Sequence, residues 1–107
     1  MNRIALCIGN DSYSHLPPLS CAVQDATAMA DKLRKLGFDT QLILNQTRAD
    51  LLNNVFNFTA KIDDSDAAVI YYAGHGFQVE GDNLLAPTDL NIANPVKQVL
   101  LDALPLE

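Results

Sequence analysis

Three short apolar runs, Ile4–Ile8, Phe38–Leu44 and Ala67–Ala73, alternate along this chain with two stretches of helical periodicity. That alternation is the strongest constraint on the fold. The first run is almost continuously apolar, as expected of a strand covered on both faces. Arg3–Ile8 therefore reads as a first strand. Between Ala22 and Leu36, the residues Ala22, Ala26, Met29, Ala30, Leu33 and Leu36 form one stripe, and Gly37 stands where a glycine ends a helix. Phe38–Leu44 reads as the second strand. Thr47 then caps a second helix, Arg48–Ile62, with Asp50 in its first turn and Leu51, Leu52, Val55, Phe56 and Phe58 available to a core. Asp63, Asp64, Ser65 and Asp66 make a polar turn before the third strand, Ala67–Ala73.

A β-α-β-α-β order with helical crossovers predicts an α/β fold with a parallel sheet and right-handed connections. Ligands bind such sheets outside the carboxyl ends of the strands. The third strand delivers His75, between Gly74 and Gly76, to one of those ends. After it, residues 77–80 and 83–86 read as a short hairpin around Gly81 and Asp82. Residues 87–95 read as loop, and 96–104 form a short apolar segment of open type. The third strand is the most apolar of the three yet stands at a sheet edge, a hazard for uncontrolled pairing. Its edge calls for a cover, whether more chain, a partner or a second copy.

With 107 residues, 49% of them apolar and 19% charged, the chain is sized for one globular domain. Seven basic against thirteen acidic residues give a net charge of −6, which argues against a nucleic-acid surface. The apolar runs are too short for a membrane span or a signal peptide, so a cytoplasmic protein is expected. Cys7 and Cys21 lack metal-ligand spacing, and a disulfide between them does not suit a reducing compartment. Cys7 reads as a core residue of the first strand.

His75 is the residue with the clearest chemical promise. An imidazole beside a backbone N–H that Gly76 can offer is half of an acyl-transfer site, one group moving the proton and the other steadying the oxyanion. The flanking glycines leave room for a substrate backbone to approach. His15, in a polar loop beside Pro17 and Pro18, is explained by solvent exposure. Asp63, Asp64 and Asp66 lack the spacing of a calcium loop.

Four blocks carry a family resemblance: Ile4-Ala-Leu-Cys-Ile-Gly-Asn10 with Tyr13, Leu19-Ser-Cys-Ala-Val-Gln-Asp-Ala26, Leu33-Arg-Lys-Leu-Gly-Phe38, and Tyr71-Tyr-Ala-Gly-His-Gly76. With Leu85-Ala-Pro-Thr-Asp89, they resemble the large-subunit (p20) region of the caspase-like cysteine peptidases, nearest to paracaspases, metacaspases and their bacterial counterparts. The resemblance implies a three-layer αβα caspase-like fold with a mostly parallel sheet, of which residues 1–107 are the N-terminal part, incomplete at the C-terminal side. It implies a cysteine endopeptidase acting on protein or peptide substrates. His75 matches the catalytic histidine, Gly76 the glycine whose N–H helps form the oxyanion hole, and Asp25 an aspartate that binds a substrate Arg or Lys; Asp25 reads equally well as an exposed acid favoured by the helix dipole. The family's nucleophile follows the histidine by about 50 residues, so Cys21, which precedes it, is expected to be structural. The chain alone is then expected to be inactive, with its nucleophile outside it. No cofactor is expected; some metacaspases bind calcium through acids after the histidine, but Asp82 and Asp89 show no spacing that assigns them. The alternative is a non-catalytic caspase-like module that docks through its open sheet edge.

Overall fold

The computed structural model describes residues 2–79, 82–91 and 104–105, with residues 77, 79, 82, 104 and 105 described as backbone. The elements are β1 (Arg3–Gly9), α1 (Ala22–Lys35), β2 (Asp39–Leu44), α2 (Arg48–Thr59), β3 (Ala67–Ala73), β4 (Gly76–Val79), β5 (Asp82–Leu85) and β6 (Leu104–Pro105). Strands β2, β1 and β3 form a parallel sheet in that order, and β4, β5 and β6 form a separate antiparallel one. The α/β reading and the parallel pairing are as expected from the sequence. The apolar segment predicted over 96–104 lies almost wholly outside the described residues.

The alternation of β1 divides the core between two faces. Ala5 and Cys7 face α1, where they pack with Ala30 and Leu33, with Val69 and Tyr71 of β3 alongside. Ile4, Leu6 and Ile8 face the other way, against Ile43 and against Leu51 and Phe58 of α2. Helices on opposite faces of one sheet give the three layers of an αβα fold. Each of the buried side chains Leu6, Ile8 and Leu51 contributes about 1.5–3 kcal/mol by leaving water.

Helix α1 lies close to the sheet because its inner face is small. A Cβ on Gly9 would come within 2.8 Å of Ala26 Cβ and 2.9 Å of Ala22 O, so only glycine admits the helix there. The helix stops in a Schellman arrangement: Phe38 N–H bonds Leu33 O and Gly37 N–H bonds Arg34 O, with Gly37 at φ 88°. Thr47 caps α2 by accepting from Asp50 N–H, as its position predicted.

Some expectations change. Helix α2 ends at Thr59 rather than Ile62, and residues 60–64 form a turn. Leu52 and Phe56 are exposed, Phe56 by 71%. Leu51, Val55 and Phe58 hold the inward face at i, i+4 and i+7, and the next residue along is rotated by about 100° away from it. Leu36, placed on the α1 stripe, is also exposed, because it sits beyond the last helical turn. Among the described residues, strand β3 is an edge of its sheet, as the sequence indicated, and Ile70 on it is 48% exposed.

The C-terminal ends of the three parallel strands are flush, since Gly9 pairs with both Leu44 and Ala73. The chain leaves β1 toward β2 on one side and reaches β3 on the other. The switch point therefore lies between β1 and β3, where a crevice opens.

Candidate active site

One buried residue, Asn10, joins three of the strands at this edge. Asn10 is fully buried; its main-chain N–H bonds Ala73 O, its Oδ1 accepts Gln46 N–H at 2.9 Å, and its Nδ2 donates to Ala86 O at 3.3 Å. The ends of β2, β3 and β5 are thus fastened at a single point. Asp11 holds the loop that follows. Its Oδ2 accepts Val23 N–H in the first turn of α1, a service the helix lacks from its own N-cap residue, Cys21.

That loop passes over the end of β3 and meets His75. The imidazole Nε2 lies 2.8 Å from the Pro17 carbonyl oxygen. A carbonyl only accepts, so the proton in this bond belongs to Nε2. In the neutral ring Nδ1 is then the free lone pair, available to take a proton from a reacting group. The ring of Tyr13 stands edge-on to the imidazole, with centroids 4.7 Å apart and planes at 62°.

The backbone around His75 is held as firmly as its ring. His75 N–H donates to Tyr13 Oη at 2.9 Å, and the His75 carbonyl accepts from Tyr72 Oη at 2.7 Å and from Ala86 N–H at 3.1 Å. The two hydroxyls are 3.2 Å apart. Burial, reinforced by the Tyr13 hydroxyl, pushes the Tyr72 phenol well above its ordinary pKa, so it stays protonated.

Gly76 pairs with Leu85 across β4 and β5, and the adjoining Ala86 N–H to His75 O bond makes this a non-hydrogen-bonded pair. In such a pair the N–H groups point away from the partner strand, so Gly76 N–H faces outward. A Cβ at position 76 would find only Leu84 O, at 3.4 Å, an ordinary contact. Gly74 is different. Its Cβ would fall 2.5 Å from Tyr72 Oη and 2.8 Å from Tyr13 Oη. The space above Gly74 is filled by the protein's own tyrosines, which corrects the expectation that both glycines leave room for a substrate.

Asp25 is exposed in the first turn of α1 and has no ion pair among the described residues. It lines a cleft of about 440 Å³ with Leu19, Ser20, Cys21, Tyr71 and Gly74. A larger apolar cleft of about 740 Å³ opens on the α2 side, between Val55, Ile70, Tyr72 and Leu85, and also reaches Gly74 and Gly76. The two clefts thus meet the residues on either side of His75.

The remaining candidates have structural settings. Cys7 is buried, which raises its thiol pKa, and Cys21 is exposed at the N-cap of α1. Asp89 accepts Arg48 N–H at 3.0 Å at the start of α2, and Asp66 accepts Asn2 N–H at 2.6 Å. The side chain of Asp82 lies outside the described residues. His15 is exposed. Among the described residues, no three of His, Cys, Asp and Glu are grouped to hold a metal ion, and no helix is long and apolar enough to cross a membrane.

Pro17, Tyr72 and Asn10 were not singled out by sequence reasoning for these roles. Asn10, Tyr13 and Tyr72 stood inside quoted motifs, but nothing in their spacing says which atoms they reach.

The profile of the caspase domain matches residues 2–105. The chain is 33% identical to the mouse mucosa-associated lymphoid tissue lymphoma translocation protein 1 homolog, over 82% of this chain and 11% of that protein. The human mucosa-associated lymphoid tissue lymphoma translocation protein 1 is 32% identical over the same shares. Bovine caspase-4 is 29% identical over 69% of this chain and 20% of its own length. The chain therefore spans a fifth or less of the length of these relatives. It belongs to the caspase domain family.

Proposed function

We propose that this chain is the base-bearing, large-subunit part of a cysteine endopeptidase of the paracaspase and metacaspase kind, cleaving after Arg or Lys. The observation that carries the reading is the His75 imidazole tied through Nε2 to Pro17 O, which leaves Nδ1 free beside an outward Gly76 N–H. Nδ1 takes the proton of a thiol, the thiolate attacks the scissile carbonyl carbon, and Gly76 N–H receives the oxyanion. The imidazolium then protonates the leaving amine, and water hydrolyses the acyl-enzyme. The thiol belongs to residues outside these 107, since Cys7 is sealed in the core and Cys21 precedes the histidine. The unpaired Asp25 carboxylate, in a cleft that reaches Gly74, suits a guanidinium or ammonium of the substrate. Calcium has no residue set assigned to it here.

Peptides with Arg, Lys or Asp before a fluorogenic leaving group, offered to the full gene product that contains this chain, test the reading. Arg and Lys peptides are expected to be cleaved, His75→Ala to abolish cleavage, and Asp25→Ala to remove the basic preference. Undiminished hydrolysis in His75→Ala overturns the mechanism.

A second reading, a docking module without catalysis, is favoured by the open edge of β3 among the described residues and the exposed Ile70 on it. Light scattering that shows Ile70-dependent self-association in a product with no peptidase activity supports it over the first.

A further inference from the structure

His75 stands between two glycines, the residues that fix backbone dihedrals least. Its main chain nevertheless has both polar groups bound by tyrosine hydroxyls from elsewhere in the fold. We propose that Tyr13 and Tyr72 form a hydroxyl pair that positions the site: Tyr13 aims the imidazole and Tyr72 aims the Gly76 N–H. This rests on the reading of His75 as the base and Gly76 as an oxyanion donor.

The bonding is directional. His75 N–H donates to Tyr13 Oη, so the Tyr13 proton is free for Tyr72 Oη, 3.2 Å away. The Tyr72 proton then goes to His75 O, its nearest acceptor at 2.7 Å, ahead of Ala86 O at 3.2 Å. A closed ring results, from the His75 N–H through two hydroxyls to the His75 carbonyl, and each bond polarises the next. Tyr13 adds its ring edge against the imidazole, on the side chain that Pro17 O holds from the other end.

Tyr72 acts on the following peptide. The His75 carbonyl and the Gly76 N–H belong to one planar unit and point in opposite directions. Holding that carbonyl with Tyr72 Oη and Ala86 N–H turns the Gly76 N–H outward and fixes it there. Gly74 completes the device. Any side chain at that position would occupy the place of the two hydroxyls, at 2.5 and 2.8 Å from its Cβ. The glycine before the histidine serves the tyrosine pair, and the one after it supplies the donor.

Nuclear magnetic resonance on the full gene product that contains this chain tests positioning without any need for activity. In the wild type, the Tyr13 hydroxyl proton is expected to exchange slowly and to show a cross-relaxation peak to the His75 amide proton. Tyr72→Phe, if folded, is expected to shift the Gly76 amide resonance, while leaving Gly37 untouched. Tyr13→Phe keeps the ring edge and is expected to broaden the imidazole signals. In the full gene product, each variant is expected to lower kcat by about 10- to 100-fold with little change in KM. Absence of the wild-type cross-peak, or an unmoved Gly76 amide in folded Tyr72→Phe, overturns the proposal. Intact geometry with no peptidase activity in the full wild-type protein overturns the functional reading and leaves the positioning result standing.

Discussion

The imidazole of His75 is held by the carbonyl of Pro17, two atoms 2.8 Å apart from residues 58 positions apart in the chain. A main-chain carbonyl cannot ionise or swing away as a carboxylate side chain can. It fixes the ring tautomer for as long as the loop holds its place, and the loop is held by Asp11 on the first turn of α1. Asp11→Ala is expected to lower stability by about 1 kcal/mol, as loss of a helix cap does. The same change should loosen the His75 ring, visible as faster exchange of its Nε2 proton; a ring signal unchanged in this variant counts against the loop as its anchor.

Gly74→Ala places a methyl group into the tyrosine hydroxyls. Overpacking of this kind costs about 1–3 kcal/mol. A lower melting temperature is expected, whereas Gly76→Ala, with only an ordinary contact to make, should melt close to the wild type.

Asn10→Ala leaves Gln46 N–H and Ala86 O without their side-chain partner at a buried site. Gln46 N–H is then orphaned, at a cost of about 1–3 kcal/mol, while Ala86 O keeps the Tyr72 hydroxyl at 3.2 Å. Urea denaturation should show a fall larger than that of an exposed substitution such as Asn53→Ala, and an equal effect in both would remove Asn10 from its fastening role.

The two cysteines should separate in alkylation. Cys21 is exposed and Cys7 is sealed in the core, where burial also raises its thiol pKa and suppresses the thiolate. Iodoacetamide on the native chain is expected to modify Cys21 alone, and both after denaturation.

Alkaline stability should report Tyr72. Its folded pKa lies above the ordinary value of 10.0, chiefly through burial, so the native state binds this proton more tightly than the unfolded chain does. The contribution is whole below the unfolded pKa and declines as pH rises above about 10, by up to about 1.4 kcal/mol per pH unit. Tyr72→Phe removes that slope while leaving the other alkaline groups in place. Urea titrations from neutral pH to about pH 11 should therefore fall less steeply in the variant.

Much of the scaffold was legible in residue order. The apolar runs, the Thr47 cap, Gly37 and the delivery of His75 by β3 all follow from neighbours within a few positions, because strand alternation and helical turns are local geometry. Less was legible where a residue's exposure depends on what packs on it. Phe56 and Leu36 are as apolar as Phe58 and Leu33, but Phe56 is turned off the face that α2 lays on the sheet and Leu36 lies past the last turn of α1.

The site divides along the same line. Residue order alone was enough to put an imidazole with glycine neighbours at the carboxyl end of an apolar strand, since local periodicity suffices for that. Only the tertiary structure decided what holds it. Tyr13, Pro17 and Asn10 reach residues 62, 58 and 76 positions away. Those contacts exist because the folded edge buries backbone groups whose hydrogen bonds must be met from distant segments.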